Sequence, residues 1–138
     1  LKIVSNEFID MEGVRIIKEK WSLETEIELL RSFDIGIMPL DDTLWARGKC
    51  GYKILQYMGV AVPAVASPVG INSEFIQNGA TGYLPTADDE WHGALKTLVG
   101  SREMRQQMGL EGRYLLESRY YQARFAGKYA EIIECVTT

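Results

Sequence analysis

Apolar and polar positions fall into blocks whose period changes along the chain. Leu1–Ser5 (LKIVS) and Val14–Lys18 (VRIIK) are short strand-like runs joined by a polar, glycine-bearing link. In SLETEIELLRSF, residues Leu23, Ile27, Leu30 and Phe33 recur at helical spacing, which predicts one buried helix face. Ser22 is placed to cap that helix, and Glu24 and Glu26 suit its positive end. DIGIMPL (34–40) and VPAVAS (62–67) are unbroken apolar runs, the pattern of parallel strands covered on both faces. TGYLP (81–85) is a weaker strand candidate.

From Thr86 onward the period is helical. Trp91, Leu95, Leu98 and Val99 share a face, and Thr86 with Asp89 resembles a capping box. The last stretch continues as helix, with Phe125, Tyr129, Ile132, Ile133 and Val136 on one stripe. Strands alternating with helices predict an α/β domain with a mostly parallel, doubly wound sheet and helices on both faces. No repeat, linker or low-complexity tract divides the 138 residues, so a single domain over 1–138 is expected.

Composition narrows the chemistry. A formal net charge of −4 argues against broad nucleic-acid binding, so any anion site has to be local. The two cysteines, Cys50 and Cys135, lack metal-ligand spacing and suit a reducing, cytoplasmic setting. No apolar run reaches the ~20 residues of a membrane span. The first residue is Leu1, inside a strand-like run, which suggests a piece of a longer protein.

In open α/β sheets ligands bind beyond the carboxyl ends of the strands. Three loops leave such ends: 19–22, 41–51 and 67–73. The second, with RGKCGYK at a helix start near Gly51, turns the amides of Cys50, Gly51 and Tyr52 outward with the positive helix end behind them. Gly48 and Gly51 allow close backbone approach, and Arg47, Lys49 or Lys53 would supply charge. A solvated basic loop reads equally well from these residues alone. Gly70, before a turn holding Asn72 and Ser73, repeats the logic, although plain capping is the commoner role there. Trp21 would stack on a flat ring or enter the core, and Gln56 would be a solvated helix residue. His92 falls on the exposed side of its helix. There is no Ser/His/Asp order, metal cluster or P-loop.

The stretch FDIGIMPL…GKCGYKILQYMGVAVPAVASPVGINSEFIQNGATGYL resembles the C-terminal, donor-binding half of retaining group 1 glycosyltransferases of the GT-B fold. VRIIKEKWSLETEIELLRSFDIGIMPL resembles the family's strand, helix and strand before the donor loop, and SREMRQQMGLEGRYLLESRYYQARFAGKYAEII resembles its closing helices. The resemblance implies a nucleotide-sugar donor such as a UDP- or GDP-sugar, with no metal or other cofactor. It implies a donor site at Trp21, Gly48, Lys49, Cys50, Gly51, Tyr52, Lys53, Gln56 and Gly70. Arg47, Lys49 and Lys53 are the possible catalytic contributors, and the base would lie near Glu19 to Trp21.

The family's two signature glutamates fall on Gly48 and Gln56, so both carboxylates are absent. The second typically binds ribose, which Gln56 could still do through its amide. The family's opening strand and its acceptor-binding N-terminal domain lie outside this sequence, so the chain alone is expected not to turn over.

That missing strand would lie between Leu1–Ser5 and Asp34–Leu40. Either LKIVS slides across to pair with DIGIM, or a second copy of the chain fills the space as a homodimer. Peripheral membrane association of a longer protein is a further expectation. The alternatives are a degenerate nucleotide-sugar-binding module, a nucleotide-sugar epimerase of the same architecture, and, most distant, a receiver-type signalling domain suggested by Asp41 and Asp42.

Overall fold

The computed structural model describes residues 1–120 and 122–137, and the side chains of all but 121–124 and 136–138. The strands are β1 (Lys2–Ser5), β2 (Ile17–Lys20), β3 (Gly36–Met38), β4 (Ala64–Ala66) and β5 (Gly82–Tyr83). The helices are α1 (Glu26–Arg31), α2 (Leu44–Arg47), α3 (Tyr52–Gly59), α4 (Asn72–Phe75), α5 (Asp88–Gly100), α6 (Arg102–Arg119) and α7 (Gln122–Thr137). Every strand pairing is parallel, in the orders β1–β2 and β3–β4–β5. The expected α/β architecture is present, as two sheets rather than one.

β4 shows why its run is unbroken. Ala64 and Ala66 face a core built from α3, α4 and α6, through Ile54, Met58, Phe75 and Leu115. Val65, one step along the strand, faces the opposite layer, where it meets Ala94 and Leu98 of α5 and Met108 of α6. Helices thus cover both faces of the strand. α3 ends in a Schellman turn: Val62 N–H donates to Tyr57 O at 2.9 Å and Ala61 N–H to Met58 O at 3.0 Å. Ala61 takes the left-handed position at φ 58°.

β1 and β3 do not pair, so the expected slide of LKIVS onto DIGIM does not occur. β1 instead pairs with β2, from Lys2 opposite Ile17 to Ser5 opposite Lys20, which fixes its register. A cavity of about 280 Å³ separates the two sheets, lined by Ile3, Val4, Leu30, Phe33, Ile37 and Tyr57 among others.

Several boundaries differ from those read in the sequence. β2 begins at Ile17, not Val14, because its partner register starts there. α1 begins at Glu26. Ser22 Oγ accepts from Thr25 N–H at 3.3 Å, closing the turn before the helix instead of capping it. Leu23 and Ile27 are exposed, so only Leu30 and Phe33 of that face reach the core. α2, four residues long, has no helical period in the sequence; Thr43 Oγ1 caps it by accepting from Ala46 N–H at 3.1 Å. At α5 the reciprocal residue is Glu90, whose Oε2 accepts from Thr86 N–H (2.6 Å) and Oγ1 (2.7 Å), in place of Asp89. Val99 is exposed, while Trp91 and Leu95 pack as expected. On α7, Phe125, Tyr129, Ile132 and Ile133 are exposed, and the Val136 side chain lies outside the described residues.

Candidate functional site

The carboxyl ends of β3 and β4 are tied together. Ser67 N–H donates to Met38 O at 3.1 Å, and Leu40 N–H donates to Ser67 Oγ at 2.9 Å. Asn72, 1% exposed, donates from Nδ2 to Ser67 O at 3.0 Å, so its amide serves the turn. On this base the two following loops dock on each other. Gly70 has φ +58°, and a Cβ there would stand 2.8 Å from Arg47 O, so only glycine lets the second loop seat against the end of α2. Gly51, the α3 N-cap, has φ +62°, and its Cβ would stand 2.6 Å from the Phe75 ring. Both glycines answer to packing between the loops. Gly48 differs: its φ is −78°, and a Cβ would meet Trp45 O at 3.5 Å and Leu44 O at 3.8 Å, both ordinary contacts.

At the start of the eight-residue α3, the amides of Cys50, Gly51 and Tyr52 have no acceptor among the described residues. These are the groups that a helix N-terminus offers to an anion. The nearby cations are not equivalent. Arg47 is bound within its own loop by Asp42, Nε to Oδ1 at 2.6 Å and a terminal guanidinium nitrogen to Oδ2 at 2.8 Å. That pairing holds the Asp42 carboxyl below the usual range, and it takes up the charge the sequence offered to a phosphate. Lys49 and Lys53 are both exposed, and Lys49 has no ion-pair partner among the described residues.

The cavity between the sheets brings Trp21, Glu26 and Lys53 onto one wall. Trp21, 40% exposed, donates from Nε1 to Glu26 Oε1 at 3.0 Å. Gln56 of α3 lies close enough to the same carboxylate to favour its charged form. The Trp21 bond first, then the polar Gln56 side chain, and least the Lys53 charge hold Glu26 below the ordinary carboxylate range, against the opposing effect of burial. Gln56 Oε1 is buried with no partner among the described residues. On the same wall the Tyr57 hydroxyl donates to Ile37 O at 3.2 Å, and burial pushes its pKa up to about 12.

A larger void of about 630 Å³ lies between α6 and the residues leading into β5, away from the carboxyl ends where such folds bind ligands. Among the described residues no three His, Cys, Asp or Glu side chains could hold a metal.

The structure therefore gathers Trp21 and Lys53 about a residue that sequence reasoning passed over, Glu26. In the sequence Glu26 stands out only as a charge suited to a helix start. Its position five residues after Trp21 carries no signal until Gln56 arrives from α3. Arg47 separates from the group by its pairing with Asp42.

A model of the family described as glycosyl transferases group 1 matches residues 7–101. The chain belongs to that family. Similar solved structures agree on the fold. Anabaena HepE in complex with UDP and glucose is similar over 89% of this chain, at 17% identity and a TM-score of 0.75. Sucrose-phosphate synthase from Thermosynechococcus elongatus is similar over 91%, at 15% identity and a TM-score of 0.72. The C-terminal domain of the group 1 family protein LpcC from Francisella tularensis is similar over 78%, at 22% identity and a TM-score of 0.61. The chain spans 32%, 31% and 54% of those three chains. No curated protein matches the sequence.

Proposed function

We propose that this chain binds the nucleoside diphosphate end of a nucleotide-sugar, a UDP- or GDP-sugar, for transfer of the sugar to an acceptor with retention of configuration. The observation that carries the reading is the set of unpaired amides at Cys50, Gly51 and Tyr52, beside Lys49 and Lys53. Amides and cations fixed before the reaction would favour the negative charge that grows on the departing diphosphate. Family membership supports the reaction class, and the likeness to HepE, held with UDP and glucose, supports the ligand class.

The proposal includes an acceptor-binding domain supplied by a longer protein, a cytoplasmic setting and no turnover by the chain alone. It also includes peripheral membrane association of the longer protein and self-association of the isolated chain. Gly48 and Gln56 at the family's glutamate positions favour a second reading, a binding module without catalysis. Sugar transfer by the longer protein would exclude it.

Gly51→Val is an unsuitable probe, because valine would strike Phe75 whether or not phosphate binds. The better test titrates the chain calorimetrically with UDP and with uridine. UDP should bind at least about tenfold tighter, or ~1.4 kcal/mol. The Lys49→Ala/Lys53→Ala double variant should lose most of that advantage. Equal affinity for UDP and uridine would end the proposal.

A further inference from the structure

We infer that a cavity beside the amino ends of β3 and β4 is a second anion site, for a phosphate monoester, held by Arg31, Arg102 and Arg105. It measures about 280 Å³. Asp34 and Pro63, which line it, stand just before β3 and β4, so it opens at the other end of the sheet from the donor loops. The inference is independent of the nucleotide-binding reading above.

The three guanidinium groups come from two elements. Arg31 closes α1, while Arg102 and Arg105 stand one turn apart at the start of α6. Arg105 is anchored: Nη1 donates to Leu98 O at 2.8 Å and Nη2 to Asp34 Oδ1 at 3.2 Å, and its Nε–H has no acceptor among the described residues. Arg31 and Arg102 have no ion-pair partner among the described residues. Against the Asp34 carboxylate, the arginines leave surplus positive charge in a chain whose net charge is −4.

Helix electrostatics sharpen the point. An arginine at the end of α1 suits the negative pole there and needs no ligand. Arg102 and Arg105 sit at the positive pole of the 18-residue α6, where a cation is disfavoured, and at that spacing they repel each other. Glu103, the acid of that turn, does not line the cavity. A dianion between Arg31 and Arg102 would offset both the repulsion and the pole. Guanidinium forks match phosphate oxygens two bonds at a time. The cavity exceeds a bare phosphate, and Phe33, Val60 and Pro63 give the remainder an apolar wall. A phosphate carrying a small organic group therefore fits it.

The experiment titrates the isotope-labelled chain with glycerol phosphate and follows backbone amide and arginine Nε–H signals by NMR. Glycerol, and sodium chloride at matched ionic strength, are the controls. Signals of Arg31, Arg102, Arg105 and residues 60–62 should move together with glycerol phosphate and not with either control. Arg31→Ala/Arg102→Ala should weaken that binding at least about tenfold. Arg15→Ala/Arg119→Ala, which removes the same charge outside the cavity, should leave it unchanged. Phosphatidylcholine vesicles with and without phosphatidic acid separate a lipid headgroup from a soluble ester as the source. Cosedimentation that needs phosphatidic acid and is lost in Arg31→Ala/Arg102→Ala would assign the headgroup, and glycerol phosphate binding without it would assign the soluble ester. Three results overturn the site: shifts no larger than chloride gives, equal losses in the two double variants, or binding confined to the amides of residues 50–52.

Discussion

The sheet of β3, β4 and β5 and the pair β1–β2 are built from the same kind of parallel strand, yet they sit in different surroundings. All three residues of β4 are buried, with Val65 sealed between two helical layers. No residue of β1 or β2 is fully buried, and Leu1, Ile17, Leu23 and Ile27 stand exposed around them. Parallel strands draw their stability from the layers that cover them, since their ladders alone contribute little. The covered sheet anchors the loops that offer amides to an anion. The less covered pair carries Trp21 at its carboxyl edge. The candidate site is the seam between them.

The largest test of that contrast is removal of side-chain volume. Ile54→Ala or Leu98→Ala, both at 0% exposure, should lower unfolding free energy in urea by about 2–5 kcal/mol. Ile17→Ala or Ile27→Ala, at 46% and 51% exposure, should stay within about 0.5 kcal/mol. Comparable losses in the two regions would erase the distinction.

A second test reads the seam itself. Tyr57 has its folded pKa raised from 10.0 to about 12 by burial, so the folded state holds its proton more tightly than the unfolded chain does. Its contribution is fully present below pH 10 and is lost as pH rises towards 12, by roughly 2–3 kcal/mol in all. Stability measured across that window should fall in the wild-type chain and fall less in Tyr57→Phe. Identical profiles would mean that Tyr57 is open to water on the cavity side.

The smallest effect sharpens the comparison from within the better-packed half. Arg47 and Asp42 make two short bonds, but both side chains are more than half exposed. Arg47→Ala should therefore leave a thermal melt almost unmoved, and less affected still at high salt. A larger loss would show that the pair braces the loop that docks on Gly70.

The legible parts of the fold were those set by local pattern. VPAVAS became β4 because an apolar run without alternation has one ready use in an α/β domain, burial on both faces. The start of α3 at Gly51 was legible because glycine and a following amphipathic run mark it. The start of β2 was not, since VRIIKEK is equally strand-like over several registers and only pairing with β1 selects one. Glu90 displaced Asp89 at α5 because reach back to Thr86 decides a cap, and the longer side chain makes it. In the site, the loop residues were legible and Glu26 was not. A carboxylate oriented by Trp21, beside Lys53 of another helix on one cavity, is a tertiary fact, invisible to spacing.

The turn that ends α3 has a consequence for which sequences can occupy it. Ala61 holds a left-handed conformation that costs an L-residue roughly 1–2 kcal/mol and costs glycine almost nothing. Where α6 crosses this turn, a Cβ on Gly109 would stand 2.0 Å from the Ala61 carbonyl oxygen. The two positions therefore obey opposite rules. Position 61 tolerates a side chain it would be more relaxed without, whereas position 109 admits none while the turn keeps its shape. Variation at this crossing is one-sided: 61 is free to drift between alanine and glycine, and 109 is closed.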